Sequence, residues 1–374
     1  MKKIFVLFIA FAFALSLSAC AGEDDTIKFG VIGPLTGDYD LYGVAVKNGA
    51  ELAAAEINAA GGVLGKTLEI IAYDSKGDAA EGTNAYNRLI DQDGIDALIG
   101  GTFSGVTLGI KSLAIEDGIP VLTPTATNPD VTLNAPNVFR ACYTDSYQGQ
   151  VAAVFAADTL MATNVAVFFN RDDAYSEGLA DAFMAEFDAD STLSYTAYEF
   201  GAQDEDYSAQ LTQIKAGGYD AVFVPAYVAE VGPILTQAAA LELDVPFIGG
   251  DGWDGIEAQY ADVAEGHYFA NHYAKTDEAE VVQNFVANYE AEFGEAPNAL
   301  AALAYDAAYA LAAAFEDAES ADSAAVVAAL AALNYTDAVT GSITFNADGD
   351  PIKAVTIIKV VAGEQTVEAK VEAS

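Results

Sequence analysis

Two cysteines, two histidines, one tryptophan and only 15 lysines and arginines stand in this chain of 374 residues. Each scarcity excludes something. Two cysteines allow at most one disulfide, so a small cross-braced scaffold is ruled out, and no cysteine cluster exists to hold zinc. His267 and His272 are five residues apart, whereas a helical metal pair stands four apart and needs further ligands, so no metal is expected. "NADGD" at 346–350 lacks the acid spacing and closing glutamate of a calcium loop and reads as a turn. Fifteen bases against 56 acids leave a formal charge of −41. That balance excludes nucleic acid, whose phosphates need basic surface, and it opposes adhesion to anionic lipid. There is no G-x-S-x-G elbow and no G-x-x-x-x-G-K-S/T loop, and "GVIGPLTG" (30–37) departs from G-x-G-x-x-G. A hydrolase or dehydrogenase would therefore lack a nucleophile, a base and a cofactor cradle, and no cofactor is expected.

What is present points elsewhere. Hydrophobic residues make up 53% of the chain, with 20 phenylalanines and 19 tyrosines, enough for substantial cores. The length suits two or three domains. The acids are scattered rather than gathered in a tail and read as a solvated, self-repelling surface that salt would screen. At the N-terminus, Lys2 and Lys3 precede an apolar run from Ile4 to Leu17, too short to span a membrane. Residues 1–19 read as a signal peptide. The ending "LSAC" (17–20) resembles the bacterial lipobox, which implies lipidation of Cys20, a tether over 20–25 and an extracytoplasmic, membrane-anchored protein. Cys142 then has no partner and is expected as a small buried apolar residue.

From residue 26 onward, strand and helix signals alternate. Ile27–Gly33, Leu68–Asp74, "ALIGG" (97–101) and "PVLTP" (120–124) read as strands separated by helical patterns. The rhythm restarts after Arg140 with "NVAVFFN" (164–170), Leu193–Phe200, "AVFVPAY" (221–227) and "VPFIGGD" (245–251). Two α/β units with parallel sheets flanked by helices follow. Residues 278–333 are helical and alanine-rich. Ala299–Phe315 resembles a membrane span, but Asp306 and two tyrosines interrupt it, which favours a buried helix. Residues 341–361 read as a hairpin turning at Asp348–Gly349.

Ligands of doubly wound sheets bind beyond the carboxyl ends of the strands. In the first unit those ends are "LTGDYDLYG" (35–43), "GTFSG" (101–105) and "TPTATNP" (123–129). They are rich in hydroxyls and carry no base. Ser104 stands where a helix begins, so it either caps that helix or holds a ligand's carboxylate with the free backbone N–H groups. In the second unit the ends bring Tyr175, Tyr227, Asp251 and Trp253. An acid among aromatics suits an ammonium group. Facing each other, the two sets complement a zwitterion. Trp253 is either a pocket wall or a lobe-surface residue, and Asp254 reads as a helix cap.

At these residues the chain resembles the branched-chain amino-acid-binding proteins of ABC transporters, with the type I periplasmic binding fold. "IKFGVIGPLTGDYDLYG", "NGAELAAAEINAAGGVLGK", "ALIGGTFSG", "EDGIPVLTPTATNP", "VFRACYTDSYQG", "DDAYSEGLADAF" and "GGDGWDG" carry the resemblance, over Thr26 to about Val361. It implies an α/β protein of two lobes, each a doubly wound, mainly parallel sheet, joined by three hinge crossings near Cys142, Ala270 and Pro351. Lobe 1 would comprise 26–141 and 271–351, lobe 2 would comprise 142–270, and 352–374 would return a strand to lobe 2. By position, the resemblance assigns Ser104 and Thr127 to an α-carboxylate. The Thr125 carbonyl, the Thr127 hydroxyl and Asp251 fall to an α-ammonium, Tyr227 reaches the carboxylate from lobe 2, and Tyr42 and Tyr175 are walls. Asp251 stands where leucine-binding members carry the longer glutamate, Thr125 replaces a smaller residue, and Phe103 and Trp253 add bulk. The side-chain preference therefore stays open, as do a small amide or urea as ligand and sensing in place of transport. The implied partners are an amino acid and the membrane subunits of an ABC permease, with the protein itself a monomer.

Overall fold

A computed structural model describes residues 25–372; the apolar leader and Cys20 lie outside the described residues. The first unit runs β1 (Thr26–Gly33), α1 (Asp40–Ala60), β2 (Thr67–Asp74), α2 (Ala79–Arg88), β3 (Ala97–Gly101), α3 (Ser104–Asp117), β4 (Val121–Thr123) and β5 (Val138–Arg140). Its sheet has the order β2-β1-β3-β4-β5, every pair parallel. Apolar runs such as the fully buried "ALIGG" of β3 explain this, because helices cover both faces of a parallel sheet.

The second unit repeats the plan with α4 (Asp145–Val154), β6 (Asn164–Asn170), α5 (Ala174–Ala189), β7 (Ser194–Phe200), α6 (Ser208–Gly217) and β8 (Ala221–Val224). It continues through α7 (Val228–Ala240), β9 (Phe247–Gly249), α8 (Ile256–Ala264) and β10 (Tyr268–Asn271). Three helices follow, α9 (Glu280–Phe293), α10 (Ala299–Ala318) and α11 (Ser323–Ala331), then the short pair β11 (Asn334–Tyr335) and β12 (Ile343–Thr344). Last come β13 (Val355–Val361) and β14 (Glu364–Val371). The second sheet has the order β14-β13-β10-β9-β8-β6-β7. Within it β7-β6-β8-β9-β10 repeats the order of the first sheet, and β13 and β14 add antiparallel strands.

The order reverses beside β1 in one sheet and beside β6 in the other, and these switch points lie under the facing loops. Helix α10 packs along α1, and most of it is buried. The approach is close enough that a Cβ on Gly49 would lie 2.1 Å from the Ala301 carbonyl oxygen. Asp306, buried in the middle of α10, accepts from the backbone N–H groups of Val339 and Thr340 at 2.8 Å and from the Thr340 hydroxyl at 2.6 Å. An otherwise apolar helix thus carries its acid as an anchor for the segment after α11.

Residues 341–361 differ from the expected hairpin. Only Phe345 and Pro351 bridge around the Asp348–Gly349 turn. β13 instead leaves for the second sheet and makes its hairpin with β14 through Ala362 and Gly363. Arg140 ties the first and third crossings together. Its buried guanidinium meets Asp350 at 2.6 Å and donates to the Ala126 carbonyl at 2.8 Å. Cys142, just beyond it, is free and fully buried.

Candidate functional site

The loops that follow β1, β3 and β4 face those that follow β6, β8 and β9, and the cleft between them is closed. Tyr42, on α1, reaches across: its hydroxyl donates to the Gly252 carbonyl at 2.6 Å and accepts from the Val228 N–H at 2.8 Å. The Tyr39 hydroxyl donates to Glu230, whose carboxyl burial pushes up to about 7. Asn128 donates to the Ala174 carbonyl at 2.8 Å.

Asp254 makes the fourth bridge. Its Oδ2 accepts the Ala299 N–H at 2.6 Å, at the first turn of α10 in the other lobe, while Gln365 donates to Oδ1 at 2.6 Å. Asp254 therefore does not cap the helix that follows it; it supplements the Asn298 cap of a helix 45 residues away. A carboxylate at a helix N-terminus is favoured by the exposed N–H groups and the helix dipole.

The lining of the cleft unites Tyr42, Phe103, Thr125, Tyr175, Tyr227 and Asp251, joined by Thr102, Gly252 and Leu300. Tyr227 is the centre of an aromatic cluster drawn from both lobes. Its ring stacks on Phe103 at 4.4 Å and on Tyr175 at 5.0 Å, and Tyr42 meets it edge-on at 5.3 Å. Burial, then the nearby acids, hold the phenols of Tyr175 and Tyr227 well above their usual range, so they remain hydrogen-bond donors. The rings nearly fill the cleft, leaving about 20 Å³ for the centre of a water molecule.

Ser104 and Thr127 are buried beside this space without lining it. Helix α3 begins at Ser104 with Phe103 at the N-cap position and no side-chain cap, so Ser104 is not a capping serine. Its Oγ accepts instead from the Asn128 N–H at 3.2 Å. Thr125 donates its hydroxyl to the Thr102 carbonyl at 2.6 Å. The Thr127 carbonyl accepts from the Asp145 N–H at 2.9 Å. The lobe 1 wall therefore combines hydroxyls with the apolar Phe103 and Leu300, and none of its lining residues is charged.

Trp253 corrects the sequence reading: it is neither a cleft wall nor a surface residue. It is fully buried inside lobe 2, with its indole N–H donating to the Val224 carbonyl at 2.8 Å. The ring folds back over β9, where a Cβ on Gly249 would lie 2.2 Å from it. The glycine supplies the slot and the open end of β8 supplies the acceptor, so the indole is satisfied on the core side.

Asp251 sits in a single 3-10 turn, Asp251–Trp253, directly after β9. It is 7% exposed. Gln148 holds it twice, donating Nε2–H to Oδ1 at 3.1 Å and accepting the Asp251 N–H at 2.7 Å. The other oxygen, Oδ2, lies 2.9 Å from His272 Nε2. Asp145, fully buried, shares the Gln148 amide at 3.4 Å. Burial, then the charge of Asp251, hold its carboxyl well above the carboxylate range. Sequence reasoning singled out neither Gln148 nor Asp145, although both stand in the quoted "VFRACYTDSYQG". It weighed His272 only as a metal ligand beside His267. The two imidazoles serve different places: His267 accepts the Phe247 N–H through Nδ1 at 3.3 Å.

Comparison with known proteins shows the family of this chain. Residues 26–365 match the family described as periplasmic binding protein. A Leu/Ile/Val-binding protein of Rhizobium johnstonii is 35% identical over 345 residues, covering 90% of this chain and 91% of the relative. Two crystal structures superpose closely at 32% identity. One is a leucine-binding protein of Thermotoga maritima, with a TM-score of 0.88 over 92% of this chain and 99% of the other. The second is the branched-chain amino acid transporter substrate-binding protein of Streptococcus pneumoniae in complex with isoleucine, with a TM-score of 0.86 over 93% and 99%.

Proposed function

The chain belongs to the periplasmic binding protein family, and from that premise we propose that it captures a free amino acid between its closing lobes and presents it to the membrane subunits of an ABC permease. The observation that carries this reading is the polarity of the cleft. One buried carboxylate, Asp251, stands among phenols on lobe 2, opposite hydroxyls and backbone groups on lobe 1, with no lysine or arginine in the lining. The acid takes an ammonium, and neutral donors at the start of α3 take a carboxylate. A ligand held by both lobes stabilises the closed form, which is the form a permease would recognise.

Ser104 and Thr127 belong to the carboxylate side, Thr125, Thr127 and Asp251 to the ammonium side, and Tyr42, Phe103, Tyr175 and Tyr227 to the walls. Because Phe103 stacks on Tyr227, the space beyond the ammonium is short, and a compact aliphatic side chain fits with the least movement of these rings. The protein acts as a monomer outside the cytoplasm, held to the membrane by lipid on Cys20.

Calorimetric titration with the L-amino acids, acetamide and urea tests this reading. Binding of one or more amino acids, small aliphatic ones most tightly, supports it. Binding of acetamide or urea with no response to any amino acid would sink it. Replacing Cys20 by serine should release the protein from membranes, and retention would refute the anchor.

A further inference from the structure

Asp251 lies 2.9 Å from His272, a residue that does not line the cleft. His272 follows β10 at the second crossing and is 5% exposed. It lines a separate groove on the hinge side together with Lys353, Thr340 and Thr356. Its ring stacks on Tyr143 at 3.7 Å. Nδ1 is buried and has no hydrogen-bond partner.

These contacts select a tautomer. The proton of the neutral ring belongs on Nε2, where Asp251 accepts it, leaving on Nδ1 a lone pair that tolerates burial better than an unpaired N–H would. A second proton would have to sit on Nδ1, as a buried donor without an acceptor. Tyr143, stacked on the ring, is neutral; the charges come from other elements. Asp251 and Asp254 face the ring from the turn after β9 and favour a proton; Asp145, at the start of α4, lies beside Asp251. Burial opposes it, and so does Lys353 at the third crossing. Lys353 is occupied by the Thr340 hydroxyl at 2.5 Å and lies beside Asp306. Burial is the largest influence, so the ring is neutral at pH 7 and takes its second proton in acid.

We propose that His272 is a positioning residue that competes with the ligand: neutral, it holds the Asp251 carboxylate for an ammonium, and protonated, it becomes the cation that Asp251 pairs with instead. This rests on the amino-acid reading of the site. A ligand ammonium and an imidazolium cannot both be matched by one carboxylate in a buried site. Each ligand bound in acid therefore expels one proton from Nδ1 to solvent. Affinity is full near neutral pH and falls as the pH drops through the titration of His272, with a limiting slope of roughly tenfold per pH unit.

Two measurements on the whole protein test this. The first is calorimetric titration with L-alanine and L-isoleucine between pH 7.5 and pH 5, on wild type and His272→Gln. Glutamine keeps an N–H donor near Asp251 but cannot titrate. The expected result, each protein compared with its own affinity at pH 7.5, is a steep loss in acid for wild type and a much shallower loss for the variant. Binding with the same pH dependence in both proteins overturns the inference alone. Absence of binding by every L-amino acid at pH 7.5 overturns the amino-acid reading and the inference with it. The second measurement needs no ligand. The chain has only two histidines, so NMR resolves both ring titrations. Asp251→Asn should move one of them to lower pH and leave the other in place. Two unmoved titrations overturn the inference whatever the ligand.

Discussion

The two walls of the cleft meet the same ligand with different physics. On lobe 1 the Ser104 and Thr125 hydroxyls and the Thr127 carbonyl are engaged within their own lobe or its first crossing, with Asn128, Thr102 and the Asp145 N–H. On lobe 2 the corresponding group is a buried carboxylate held by two side chains, Gln148 and His272. A wall of hydroxyls and amides costs little to desolvate and carries no net charge. A wall built on Asp251 carries charge that burial penalises until a cation arrives. Lobe 1 thus provides shape and dipoles, and lobe 2 provides the term that most strongly separates the empty from the filled site.

The largest expected effect breaks the charged wall. Asp251→Ala should weaken amino-acid binding by about 3–5 kcal/mol, because it strips the ammonium of its buried partner. The ligand-free melting temperature should stay close to wild type. Undiminished affinity in calorimetry would remove Asp251 from the site.

The next tests the contacts that hold the walls together rather than the walls themselves. Asp254→Ala removes the carboxylate that closure places on the first N–H of α10, and should weaken binding by about 1–2 kcal/mol. Small-angle scattering of the ligand-free variant should show a more open particle. Unchanged affinity and unchanged scattering would mean that this contact does not contribute to closure.

Ser104→Ala probes the neutral wall and should cost about 1 kcal/mol of affinity, with little dependence on salt, because the hydroxyl carries no charge. An unchanged affinity would confine Ser104 to its bond with the Asn128 N–H.

The smallest effect separates the buried acids of lobe 2 from the surface acids that both lobes carry. Raising salt from about 0.1 M to about 1 M shortens the Debye length from roughly 10 Å to roughly 3 Å. With a formal charge of −41, the melting temperature should rise by a few degrees. A melting temperature that does not rise would count against surface self-repulsion.

Much of the site was legible because parallel strands carry their functional loops at one end. Once alternation marks the strands, Tyr42, Phe103, Thr125, Tyr175, Tyr227 and Asp251 fall at the strand ends, and all six line the cleft. Trp253 was misplaced because its environment depends on an acceptor at Val224 and on the bare backbone of Gly249. No local pattern announces that pairing. Gln148 reaches Asp251 across 103 residues of chain, and Ala299 reaches Asp254 across 45. Leu300 enters the lining only because α10 packs along α1.

The order of apolar and polar residues was enough by itself to determine two α/β units, a buried rather than membrane-spanning α10, and an acid among aromatics opposite a wall of hydroxyls. Those features follow from local propensity and from the direction of parallel strands. Tertiary structure alone decided that the indole turns inward, that Asp254 supplements the cap of a helix of the other lobe, and that His272 comes to rest on Asp251. Each of these depends on which buried donor finds which acceptor, and that is settled only when distant segments pack.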